Sequence, residues 1–203
     1  MMSFSEIETT AKRASKAAGF SWGIAEEIGK SIRSLELFGL PGIINLNQYL
    51  KKINKKHPKK ITKIEKENKT TDKEFCPIYS GVALLDHCLE LEKLKSLKFY
   101  NVNYPLLMIP FISRASEIMS KKILVQYDNT SFLLNFDRAI FSKNIDQQAQ
   151  SLANILSIEF IENKNSFSEQ EWKELYKLSE ETFVDESDSS KAKAAGAGLT
   201  DND

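Results

Sequence analysis

The apolar residues of this chain recur with two different periods, and the change between them falls near Leu97. Ahead of it, Ala25, Ile28, Ile32 and Leu35 recur at helical spacing, as do Ile43, Leu46, Leu50 and Ile53, so each set lines one face of a helix. Beyond it, Leu156, Ile158 and Phe160 alternate with Ile155, Ser157, Glu159 and Ile161, the period of a half-buried strand. Neither kind of stripe can stay in water at no cost, so the two must bury against each other. The expected fold class is therefore α+β: an N-terminal three-helix cluster packed on a small mixed β-sheet, with a C-terminal helix and a Gly/Ala-rich tail.

Local signals set the element boundaries. Ser3-x-x-Glu6 and Ser5-x-x-Glu8 both fit a capping box, Gly19 and Gly39 stop helices, and Pro41 suits the first turn of a third. A fourth helix is expected from Pro77 to about Leu94, burying Val82, Leu85 and Leu89. Leu97 to Val102, Leu106 to Ile109 and Ile123 to Tyr127 read as strands, with a helix from Pro110 through Ser120 completing a βαβ unit. Asp128-Asn129-Thr130-Ser131 offers turn chemistry before a hairpin strand over 132–136, which makes four or five strands in all. A last helix follows the capping box Ser168-x-x-Glu171, with Trp172, Leu175, Tyr176 and Phe183 on its buried side.

Charge patterning supplies the remaining boundaries. From Lys51 to Lys73 there are ten lysines against Glu65, Glu67 and Asp72, with only isolated apolar residues such as Ile61 and Ile64, a composition that favours a loop. The readings divide the chain into a helical cluster over 1–54, a Lys-rich flexible loop over 55–74, an α+β portion of the same core over 75–184 and a tail over 185–203. Lys and Arg together number 28 and so do Asp and Glu, so no net field draws the whole chain to nucleic acid or to an anionic membrane. Residues 1–8 lack a basic region followed by an apolar run, and no stretch approaches the roughly 20 apolar residues of a membrane span. Cys76 and Cys88 fit no common disulfide framework or zinc site. The expectation is a cytoplasmic protein with reduced thiols, no metal and no cofactor.

Three blocks carry a family resemblance: 18–27 (Ala-Gly-Phe-Ser-Trp-Gly-Ile-Ala-Glu-Glu) with Gly39-Leu40-Pro41-Gly42 after it, Cys76-Pro77 with Gly81 and Asp86, and the C-terminal Gly196-Ala197-Gly198-Leu199-Thr200-Asp201-Asn202-Asp203. Together they resemble a family of small bacterial proteins known only as a domain of unknown function. The resemblance implies no activity. It does imply that the C-terminus is more than a solvated end, with Gly196, Gly198, Leu199, Asp201, Asn202 and Asp203 as candidate partner-binding residues. Glycine and alanine there would let a backbone approach closely.

The individual residues suggest chemistry that must be weighed against simple packing. Cys76 precedes a helix start, where the helix dipole favours a thiolate, and with Asp86 or His87 it forms the candidate catalytic set. Free cysteines are also among the most buried residues, and His87 on an amphipathic helix more often borders a core or faces water. Trp22 and Glu26 share a helix face one turn apart and could hold a small cation, although Trp usually packs and a Glu there also answers the helix dipole. The first two helices imitate a helix-turn-helix, but Glu26 and Glu27 would repel a phosphate backbone, and no aromatic residue interrupts the lysine run to stack on bases. No phosphate loop or Gly-x-Ser-x-Gly elbow is present.

The reading these residues favour is a noncatalytic accessory or partner-binding protein in bacterial metabolism. A protein partner, a second copy of the chain or a small molecule are its candidate ligands, with nucleic acid disfavoured and no membrane expected. The alternatives are a small-molecule enzyme using Cys76 with Asp86 or His87, and a helix-turn-helix-like DNA-binding protein.

Overall fold

A computed structural model describes residues 2–56, 58–91, 93–135, 137 and 139–182. Contacts divide the chain into two units, 1–163 and 164–203.

The first unit opens with helices α1 (Phe4–Ala17), α2 (Trp22–Leu37) and α3 (Gly42–Ile53). Ser3 caps α1 in a full capping box: its hydroxyl accepts the Glu6 N–H at 3.2 Å while its own N–H donates to the Glu6 carboxylate at 2.8 Å. Gly19 (φ 108°) and Gly39 (φ 68°) supply the left-handed residues that stop α1 and α2. The expected stripe Ala25, Ile28, Ile32 and Leu35 is buried along α2. On α3 the buried set is Asn45, Leu46 and Tyr49, while Ile43 stays exposed.

Then follow strand β1 (Glu67–Asn68), helices α4 (Pro77–Asp86) and α5 (Cys88–Leu91), strand β2 (Ser96–Asn103), a 3-10 turn (Pro105–Met108) and helix α6 (Ile109–Met119). The helix expected to run to Leu94 breaks at His87, and the break turns Cys88 and Leu91 inward. The buried face of α4 is Ile78, Gly81 and Leu84, whereas Val82 and Leu85 are half-buried and Leu89 is exposed. Residues 106–109, expected as a strand, form the 3-10 turn and the start of α6. Tyr104, at φ 41°, swings the chain off β2, and Pro105 fixes the first turn.

Strands β3 (Lys122–Tyr127), β4 (Thr130–Leu134), β5 (Ile140–Lys143) and β6 (Leu152–Ile161) complete a six-stranded mixed sheet in the order β1-β2-β6-β3-β4-β5. Strand β6 pairs antiparallel with both β2 and β3, so these two run parallel with β6 inserted between them. The βαβ unit is therefore split rather than contiguous. The β3–β4 hairpin turns at Asp128 (φ 47°). On β6, Leu156, Ile158 and Phe160 face the core and Ile155 faces outward, as the alternation requires.

The core lies where the sheet's buried face meets α4 and α6. Phe99, Phe111 and Phe132 are all fully buried there, and each is worth about 2–3 kcal/mol of transfer free energy. The Lys-rich stretch is not wholly a solvated loop. Glu67–Asn68 pairs parallel with β2, Asn68 donates to the Lys98 carbonyl at 3.0 Å, and Phe75 bridges to Val102.

In the second unit, helix α7 (Glu169–Glu180) starts at a capping box between Ser168 and Glu171, and Phe167 stacks on Trp172 with ring centroids 5.5 Å apart. None of its residues is buried, so Trp172, Leu175 and Tyr176 do not form the buried side expected of them. Phe183 and the tail over 185–203 lie outside the described residues. No helix among the described residues is long and apolar enough to cross a membrane.

Candidate functional site

Cys76 occupies the N-cap of α4 in extended conformation, with Pro77 as the first helical residue. Its sulfur accepts the Tyr79 N–H at 3.4 Å and the Tyr49 hydroxyl at 2.8 Å. Tyr49 comes from α3 and its ring packs edge-on against Tyr104 at 5.9 Å, so the thiol is sealed between two helices and a strand end. Two effects oppose each other at this sulfur. Burial disfavours the thiolate, whereas the hydrogen bonds from Tyr49 and from the backbone at Tyr79 and Ile78 favour it. Burial wins and pushes the Cys76 thiol up to about 11; it also raises Tyr49, with the neighbouring Cys76 adding to the effect. A helix N-terminus thus does not make a nucleophile of a sulfur that is buried and held as the thiol.

Asp86 and His87 lie at the opposite end of α4, roughly 15 Å along the helix at its ordinary rise. Asp86 is exposed, and His87 is half-buried with its Nδ1 3.5 Å from Glu90. The structure does not bring the three together. Trp22 is exposed at the start of α2 with the Lys16 ammonium over its ring at 5.5 Å. Glu26 pairs with Lys30 at 3.2 Å and Lys12 at 3.3 Å, and Lys30 and Lys12 hold its carboxyl below the usual range. The chain's own lysines therefore already meet the cation preference of Trp22 and Glu26. Glu27 pairs with Arg114 of α6 and with Lys30. Gly196, Gly198, Leu199, Asp201, Asn202 and Asp203 lie outside the described residues, as does His57. No group of three or more His, Cys, Asp or Glu among the described residues could hold a metal.

The lysine run acquires a shape that its sequence did not announce. A cleft of about 640 Å³ opens beside Cys76, between the end of α3 and the segment that returns to the sheet edge. Six lysines line it: Lys52, Lys56, Lys59, Lys60, Lys69 and Lys73. Two of its cations are answered by carboxylates, Lys52 by Glu74 at 2.5 Å and Lys59 by Asp72 at 2.9 Å. Lys52 also reaches the buried Asn103 at 3.1 Å and covers the Tyr104 ring at 5.9 Å. Lys69 lies over Tyr100 at 5.3 Å, a contact that leaves its charge unneutralised. Lys56, Lys60 and Lys73 are exposed and make no ion pair among the described residues. Four cations with no ion pair among the described residues thus share one concavity. The signal in the sequence was the count of lysines. What it lacked was the pairing of Asn68 and Phe75 with β2, which folds the run back on itself.

Neither a curated protein nor a solved structure matches the chain. Residues 2–84, which span α1 to α3, the lysine cleft's own segment, Cys76 and most of α4, match the model of a family described as "Protein of unknown function (DUF3726)", in keeping with the resemblance carried by the Ser-Trp-Gly block.

Proposed function

We propose that this chain is a noncatalytic accessory protein that holds an anionic group of its partner in the lysine-walled cleft. The observation that supports this reading is the set of four cations, Lys56, Lys60, Lys69 and Lys73, lining one hollow with no carboxylate paired to them among the described residues. Like charges held around a concavity repel one another, and the low-dielectric wall behind them concentrates their field, so an anion entering the cleft relieves the repulsion and gains attraction. A molecule of balanced net charge that gathers cations in one place has a local use for them. The chemistry beside the cleft supports binding over turnover, because the one thiol bordering it is held protonated by burial.

Amide chemical shifts during titration with poly-glutamate and with inorganic tripolyphosphate provide the test. The expected result is saturable shifts confined to residues 52–61, 69–76 and 103. Shifts spread over the whole surface, or none at millimolar ligand, would overturn the assignment.

A further inference from the structure

The walls of the cleft also bear on what kind of anion fits it. Among the described residues, every cation lining it is a lysine and none is an arginine. A lysine ammonium is a point charge on a flexible stem, without the planar fork that grips one phosphate or carboxylate in two parallel hydrogen bonds. These lysines come from three stretches of chain: Lys52 and Lys56 at the end of α3, Lys59 and Lys60 beyond it, and Lys69 and Lys73 on the return to the sheet. Cations spread in this way match carboxylates strung along a ligand better than one compact polyanion.

Between them lies an apolar floor. Ile53 and Ile61 are half-buried, packed against the core on one side and open to the cleft on the other, with Pro58 and Phe75 beside them. An aliphatic side chain laid there would exclude water from surface that now meets it. Phe75 is buried and already packs edge-on against Phe99 at 5.6 Å, so its ring face is not free to stack on a nucleobase. At about 640 Å³, the cleft falls within the roughly 300–1,000 Å³ usual for sites that enclose a small ligand or a few side chains.

We infer that the cleft recognises an acidic peptide segment carrying one large aliphatic residue among its carboxylates. This rests on the anion-binding reading above and narrows it to a partner class.

Isothermal titration of the full chain with four probes tests it. The probes are a capped peptide of four glutamates around one leucine, its twin with serine in place of leucine, inorganic tripolyphosphate, and a short single-stranded oligothymidylate. The leucine peptide is expected to bind about ten-fold more tightly than its serine twin, since the two differ only in the apolar area they can bury. It should also outcompete tripolyphosphate at equal concentration. Equal affinity of the two peptides would overturn the peptide inference and leave the anionic cleft standing. Tighter binding of tripolyphosphate or the oligonucleotide would replace the peptide with a phosphate ligand. Binding of no probe would remove both the inference and the reading beneath it.

Discussion

Gly81 stands where α4 crosses α6, and replacing it with alanine is the sharpest test of how that layer packs. A Cβ built there would sit 2.6 Å from Cδ2, 2.7 Å from Cγ and 2.9 Å from Cβ of Phe111. Carbon atoms rest at about 3.5–4.0 Å, so the two groups must separate by about 1 Å. Turning the ring cannot supply that, because the Phe111 Cβ is itself too close and is fixed to the α6 backbone. The side chain is also fully buried. Overpacking costs about 1–3 kcal/mol, and contact with an atom fixed to the backbone puts this case in the upper part of that range, about 2–3 kcal/mol, from which alanine returns about 1 kcal/mol of helix propensity. The net expectation for Gly81→Ala is a loss of about 1–2 kcal/mol, or about 2–8 °C in Tm for a chain of this size. Gly23→Ala is the control. It sits in the first turn of α2 with nothing within 4 Å of a new Cβ, and should be neutral or stabilising by up to about 0.5 kcal/mol. Urea unfolding followed by circular dichroism would measure both, and a Gly81→Ala protein at least as stable as the parent would refute the packing argument.

Other perturbations read other parts of the molecule. In the native protein at pH 8, Cys76 and Cys88 should react with a thiol reagent only as fast as the chain unfolds, because both are buried; rapid native labelling of Cys76 would restore the nucleophile reading. A thiol whose pKa rises on folding contributes stability that is complete below its unfolded value near 9 and is lost as pH climbs toward about 11. Urea midpoints should therefore fall across that window, Tyr49 acting in the same direction, and the fall should be shallower in Cys76→Ala. Tyr49→Phe keeps the ring but deletes the hydrogen bond to Cys76, and should cost about 0.5–1.5 kcal/mol in the same assay. Ser3→Ala removes the capping box of α1 and should cost about 1 kcal/mol, seen as faster amide exchange in the helix's first turn.

Much of the architecture was legible in the sequence, wherever a local rule decided the structure. Capping boxes at Ser3 and Ser168 and stops at Gly19 and Gly39 fall where the structure has them, and the stripe from Ala25 to Leu35 is buried along α2. Short apolar runs were ambiguous: Leu106 to Ile109 reads equally as a strand or a buried turn, and Tyr104 at φ 41° with Pro105 decides for the turn. The place of β6 between β2 and β3 depends on contacts far apart along the chain, such as Ser96 with Glu159 and Tyr127 with Leu156, which no periodicity encodes. The stripe of α7 predicts a buried side, yet none of its residues is buried, because an amphipathic stripe shows what could be buried, not what is.

The candidate site was less legible still. The helix start marks Cys76 in the sequence, yet burial, which sequence does not show, decides its chemistry. Composition reads the lysine run as solvated chain, because it describes charge and says nothing of curvature. Two residues of edge strand and one bridge at Phe75 turn that run into the wall of a cleft.

That cleft is the central claim, and paired charge reversals test it most directly. Lys56→Glu/Lys73→Glu changes two exposed lining lysines, while Lys98→Glu/Lys143→Glu changes two exposed strand lysines that do not line the cleft, for the same change in net charge. Each reversal removes an attraction and adds a repulsion, so at about 0.2–1 kcal/mol per exposed charge interaction two reversals in the cleft should weaken binding of poly-glutamate by about 0.8–4 kcal/mol, or about four-fold or more. The strand pair should change it far less. Equal losses from the two pairs would show that the protein responds to overall charge, and would contradict a site in the cleft.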